Sequence, residues 1–220
     1  RNEINELDKP LIKSDCEIAN NVVIENGSII GKNTKIGSGS YIGYNCIIGD
    51  DVCIDRNTVI TNSIIAENVS IGRNSSLGQE GFGFAIDGKK NTKIFHSGRV
   101  ILQKGVNIGS NCTIDRGSFR DTIIGNNTNF DNLCHVAHNV IVGNNCIFAA
   151  MTGIAGSTDI GNNVMAGGQT GINGHLKIGN NVMIAAQSGV VSNIKDNSSV
   201  MGHPAINKFK NIRKYKKNYA

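Results

Sequence analysis

One large aliphatic residue recurs every six positions through most of the chain. Ile12, Ile18, Ile24, Ile30, Ile36, Ile42, Ile48, Ile54 and Ile60 follow one another without a break. The register slips by one residue and resumes at Ile65, Ile71 and Leu77. It returns after an interruption at Leu102, Ile108 and Ile114, slips again, and then runs from Ile124 through Phe130, Val136 and Val142 to Val190. A helical period of 3.6 cannot produce a strict six, and simple strand alternation gives no reason for a single large slot. The other slots are patterned too. The fifth is small or β-branched (Ser28, Thr34, Ser40, Val52, Thr58), the second is often glycine, and the third and fourth are often asparagine. Each hexad therefore predicts a short strand and a corner. The first residue fills a core, the fifth packs beside it, and Gly or Asn takes the corner conformation with φ > 0.

This pattern resembles the hexapeptide-repeat proteins. The resemblance implies an all-β fold, a left-handed parallel β-helix with about three hexads, or ~18 residues, per triangular coil. Coils of this kind stack ~4.8 Å apart through parallel ladders. Residues 1–195 are predicted to form the β-helix, with residues 81–99 (GFGFAIDGKKNTKIFHSGR) looping out from a corner. Beyond Asn193 the hexads fade. Residues 196–220 are predicted to be a basic helical extension that caps the open end of the stack.

Composition sharpens this picture. Glycine is abundant at 27, with two prolines and no tryptophan among 220 residues. Regular aliphatic spacing makes these glycines corners and not disorder. The net charge is +5, but six cations lie between 208 and 217 with no acid after Asp196; removing those six leaves −1. The basicity is thus local, and no nucleic-acid surface is expected. No apolar run approaches the ~20 residues that span a bilayer. Cys16, Cys46, Cys112, Cys134 and Cys146 all occupy the inward fifth slot and no CxxC pair occurs. They read as small buried hydrophobes and reduced thiols of a cytoplasmic protein. The chain opens on Arg1, which leads us to expect trimming from a longer protein.

Five histidines are candidates for chemistry: His96, His135, His138, His175 and His203. Adding one coil to position 138 gives Gly156, and a second gives Gly174, beside His175. His138 and His175 are therefore expected on one face, two coils apart, with Gly156 between them. That places a base beside an open backbone N–H. His135 and His203 read more simply as structural residues. A zinc site from His135, His138 and His175 would need ligands about 2 Å from one ion, which two coils of separation forbids within a chain. An ice-binding solenoid would show regular outward threonines, whereas these outward slots vary.

Four runs carry a closer resemblance: GQEGFGFAIDG at 78–88, CTIDRGSFRDTIIGNN at 112–127, HVAHNVIVGNN at 135–145 and GQTGINGH at 168–175. They look like the UDP-3-O-acylglucosamine N-acyltransferases of lipid A biosynthesis, as found in Gram-negative bacteria. The resemblance implies transfer of a 3-hydroxyacyl chain from acyl carrier protein to the sugar 2-amine. The donor thioester rides on the carrier's phosphopantetheine, with no cofactor, no metal and no covalent acyl-enzyme. It implies a homotrimer, with His138 as general base, Gly156 as oxyanion donor and His175 supporting the substrate. Asp131 and Asn132 would lie near the pantetheine arm. His135 stands where a glutamine-like residue is common, and it is counted with the substrate-binding positions. Gly189, where a large residue shortens the acyl groove of some relatives, implies acceptance of long chains. The family's N-terminal uridine-binding domain is absent from these 220 residues. The cation cluster, with Lys210, Lys214 and Lys217, is expected to dock the acidic carrier protein.

Overall fold

The computed structural model describes residues 9–202 and 205–208. The hexads fold as predicted into a left-handed parallel β-helix with three faces. The first face runs in nine strands from Leu11–Ile12 to Lys177–Ile178, and the third in nine from Val23–Ile24 to Gly189–Val190. The second face starts at Glu17–Ile18 and carries eleven strands. Most strands are two residues long, so each coil spends more residues on corners than on ladder. Equivalent residues stack in columns, as Ile12, Ile30, Ile48 and Ile65 do.

The first slot forms the core, with Ile30, Ile42, Ile48, Ile60 and Leu77 fully buried. Phe130 and Phe148 stack inside it, ring centroids 4.6 Å apart. The fifth slot is buried as well. Its hydroxyls are satisfied by carbonyls of the coil above: Ser28 Oγ donates to Gly43 O (2.7 Å) and Thr34 Oγ1 to Gly49 O (2.9 Å). Small hydrogen-bonding side chains fit there because buried polar groups need partners. Cys46, Cys112, Cys134 and Cys146 are buried free thiols, while Cys16 is half-buried. The fourth slot takes φ near +60°, usually as Asn but also as Leu133 and Met151.

The third slot has its own device. Its amide is not used by the ladder, and at several coils a side chain from the next coil accepts from it. Asn126 N donates to Asn144 Oδ1, Asn144 N to Asn162 Oδ1, Asn162 N to Asn180 Oδ1 and Asn180 N to Asp196 Oδ1, all at 2.8–2.9 Å.

Three segments leave the hexad plan. Residues 81–99 exit after the third-face strand Ser76–Gln79, form an antiparallel hairpin of Phe84–Ile86 with Asn91–Lys93, and return to Val100–Leu102. The second register slip is a bulge at residues 116–121 that docks on this insertion. Ser97 N donates to Ser118 O (2.8 Å) and Gly98 N to Gly117 O (2.9 Å). At the C-terminal end the coil does not stop at 195. Ser199–Met201 pairs in parallel with Met183–Ile184, and Ile206–Asn207 folds back antiparallel on Val200 and Met201. The hexad from Ile194 is intact, with Asp196 in the third slot, which is why the ladder goes on. The predicted extension thus begins with strand at Ser199–Met201 and Ile206–Asn207, and the helix expected beyond Lys208 lies outside the described residues. Lys210, Lys214 and Lys217, called for carrier docking, lie outside the described residues, as does His203.

Candidate active site

His138 occupies the third slot of its hexad, in the corner between the third and first faces, and is half-buried. Its ring lies over Gly156 of the next coil. A Cβ placed on Gly156 would stand 2.8 Å from both Cε1 and Nε2 of His138. The insertion closes the other side, where a Cβ on Gly81 would come within 2.8 Å of His138 Cβ. Asn139 steadies the ring, its amide nitrogen 3.2 Å from His138 Nδ1. Asn139 is itself fixed by Ser118, whose N–H donates to Oδ1 (2.7 Å) and whose Oγ accepts from Nδ2 (2.8 Å). Burial pushes His138 below the ordinary histidine value, and nearby His96 works in the same direction; Asp115 and a backbone hydrogen bond with Phe82 oppose them. The ring is accordingly disposed to be neutral, and able to accept a proton, near pH 7.

Gly156 offers the complementary group. Ala155 N donates to Ile172 O and Ser157 N to His138 O. The Gly156 N–H between them has no acceptor among the described residues. In the column of Asn126, Asn144, Asn162 and Asn180 a side chain of the next coil accepts from the third-slot amide, but here the next-coil residue is Gly174, which has no side chain. Two stacked glycines in this column therefore leave one backbone donor open, beside an imidazole.

Both groups border a groove of about 730 Å³ on the third face. Gly153, Gly171 and Gly189 stack along it in register, and a Cβ on Gly153 or Gly171 would meet nothing within 4 Å. The glycines make a smooth floor, with Phe82, Ala137, Ala155, Val190 and Val191 among the apolar residues beside it. Such a channel suits an extended aliphatic chain.

The other sequence candidates divide. His135 lines the groove, its Nδ1 2.7 Å from Thr113 Oγ1 and its Nε2 3.8 Å from Asp115 Oδ2. His175 is in the expected column neighbourhood, its N–H donating to Gly156 O (3.0 Å). However, it is exposed with φ +60° and does not line the groove. Asp131 and Asn132 sit at the opposite corner of the third face. There Asn132 Oδ1 accepts from Ser110 N (2.8 Å) and Asp131 Oδ1 from Asn132 N (2.7 Å). They too are outside this chain's groove. Sequence reasoning missed Gln79, Asp115 and Asn139, and named His96 without giving it a role. Asp115 is buried and accepts from Gln79 Nε2 (2.8 Å). Burial pushes its carboxyl up, against the pull of His135, Gln79, His138 and His96. The available signal was the loss of hexad register after Leu77 and Ile114, which marks where the chain leaves the coil to build a site. Among the described residues no three His, Cys, Asp or Glu side chains are grouped to hold a metal ion, and no helix is long and apolar enough to cross a membrane.

Comparison with known proteins follows the same lines. The family described as "Bacterial transferase hexapeptide (six repeats)" matches residues 121–156, and "GMPPB C-terminal domain" matches residues 7–92. A UDP-3-O-acylglucosamine N-acyltransferase of Leptospira biflexa is 54% identical over 66 residues, 30% of this chain and 19% of that protein. The enzyme of the same name from Methylobacterium nodulans is 56% identical over 64 residues, 29% of this chain and 18% of that protein. The matched stretch thus spans under a fifth of those relatives' length. Among solved structures, LpxA from Acinetobacter baumannii has a TM-score of 0.77 at 24% identity, covering 92% of this chain and 78% of that one. The UDP-N-acetylglucosamine acyltransferase of Campylobacter jejuni has a TM-score of 0.79 at 24% identity, covering 93% and 79%. These structures share the fold.

Proposed function

We propose that this hexapeptide-repeat protein is an acyltransferase, and that it moves a 3-hydroxyacyl chain from acyl carrier protein to the 2-amine of UDP-3-O-acylglucosamine in lipid A biosynthesis. The observation that carries the reading is the pairing of His138 with the open Gly156 N–H at a glycine-floored apolar groove. The chemistry balances with these two groups. The amine nitrogen attacks the thioester carbonyl and the C–N bond forms. His138 takes the nitrogen's proton while Gly156 N–H stabilises the oxyanion. The C–S bond then breaks, and the proton on His138 returns to the departing phosphopantetheine thiolate. No cofactor enters the scheme. Amine in preference to hydroxyl is supported by the 54% identity to enzymes named as N-acyltransferases. Incubation with 3-hydroxyacyl carrier protein and each of two acceptors, UDP-3-O-acylglucosamine and UDP-N-acetylglucosamine, tests the choice by mass spectrometry. Amide product with the first acceptor is expected; ester product with the second alone would transfer the assignment to O-acylation.

The reading includes a cytoplasmic homotrimer. Ile147, Met165 and Met183 form an exposed apolar column on the second face, and a threefold assembly would cover it while adding a second wall to the groove. A sedimentation mass three times that of the 23.4 kDa chain is expected; a clean monomer at micromolar concentration would count against it. His175, Asp131 and Asn132 then have a place as groups offered to a groove shared between copies.

Gly189 ends the glycine floor, paired in register with Gly171. Coils advance by ~4.8 Å, so Gly189 lies about three coils from His135 and meets the distal part of a long chain. Gly189→Met should shift preference towards shorter 3-hydroxyacyl donors when two lengths compete in one assay. An unchanged selectivity ratio would remove Gly189 as the ruler.

A further inference from the structure

The insertion at residues 81–99 ends on a histidine that the scheme above does not use. His96 is fully buried. Its Nδ1 stands 2.8 Å from Ile94 O. A carbonyl only accepts, so Nδ1 carries the proton and Nε2 the lone pair of the neutral ring. That Nε2 is buried without a hydrogen-bond partner. Leaving a buried acceptor unpaired is disfavoured, and a phenylalanine would fill the same space without that defect. The ring instead packs edge-to-face on His138, centroids 5.1 Å apart at 74°. The GFG run lets the chain close this tightly. A Cβ on Gly81 would press on His138, and one on Gly83 would stand 3.0 Å from His96 Cε1.

We propose that His96 is a positioning residue for His138, held against its ring by the insertion so as to fix its orientation and seal one side from water. The inference rests on the role of His138 given above, and it assigns a purpose to a segment that the repeat does not require. Several groups bear on the two rings. Asp115 and the Phe82 backbone favour the charged form of His138, while His96 and His175 disfavour it. His135 lies beside Asp115 on the neighbouring strand. Glu80 feels both His96 and Arg116 from the insertion side. An imidazole against His138 restricts its hydration, and any charge it carries disfavours a second charge on His138.

The test is a proton–carbon NMR titration of the His138 Cε1–H in the whole chain, assigned with His138→Gln. In the unmodified chain the midpoint should fall below the ordinary 6.5. His96→Phe keeps the volume and removes the imidazole, and should raise the midpoint. Gly83→Ala keeps His96 but displaces it, and should move the His138 resonance and midpoint the same way. A residue that only fills space predicts no change with phenylalanine. Unchanged midpoint and chemical shift in His96→Phe would overturn the proposal. Rapid solvent exchange of the His96 Nδ1 proton in the unmodified chain would overturn it without any variant. None of these readouts uses an acyl donor or acceptor, so they stand whether or not the acyl-transfer assay succeeds.

Discussion

His138→Ala is expected to lower acyl transfer by about 10²–10⁴-fold, the usual cost of removing a general base, while leaving the coil folded. The side chain is only half-buried, and the residues that hold this hexad to the core, Cys134, Val136 and Val140, are untouched. The thermal midpoint should therefore move little. The pH dependence adds a second check. Burial depresses the His138 value, so the base-competent neutral form persists to a lower pH than for a free histidine. With base catalysis, kcat/KM should be flat near neutrality and fall as pH drops through a midpoint below the usual 6.5, since the protonated ring cannot accept the amine proton. In His138→Ala that limb should disappear along with the rate. Near-native turnover in the variant, or a limb that survives it, would remove His138 from the mechanism.

The coil was readable from sequence because one slot in six must be large and its column must be continuous. The same arithmetic put His138, Gly156 and Gly174 in one column, and the register pairs around them agree: His135 with Gly153, Gly153 with Gly171. Periodicity could not say which way a corner side chain leaves the surface. His175 is beside Gly174, as expected, but its fourth slot takes φ +60° and it does not line the groove. Nor could periodicity trace the return path of residues 81–99. That path brings His96 to His138 and Ser97 to Ser118, and it turns the break in register after Ile114 into the bulge that orders Asn139. The C-terminal boundary was misplaced for a related reason. The step from Val190 to Ile194 is four residues and breaks the visible period, yet Asn197 still takes the corner at φ +58°, Asp196 still caps the Asn180 amide and Val200 still sits beside Ile184.

Gly156→Ala should cost nearly as much as loss of the base, about 10²–10³-fold in kcat, the range seen when one oxyanion donor is lost. Gly156 is not among the glycines with positive φ, so alanine is not excluded by backbone strain. Space alone decides. The new methyl would lie 2.8 Å from Cε1 and Nε2 of His138 and 3.2 Å from Nδ1. The ring must move, and it is hemmed in on its other side by Gly81 and His96. The methyl also projects beside the Gly156 amide, which has no acceptor among the described residues. Two mechanisms thus predict the same loss, and a double-mutant cycle separates them. With His138→Ala the ring is gone and the methyl has room, so any rate lost on adding Gly156→Ala belongs to the backbone donor. A further drop of tenfold or more in the double variant is expected, measured by product formation under single-turnover conditions. If the double variant matches His138→Ala alone, Gly156 serves only to make room for the histidine, and the oxyanion must be stabilised elsewhere.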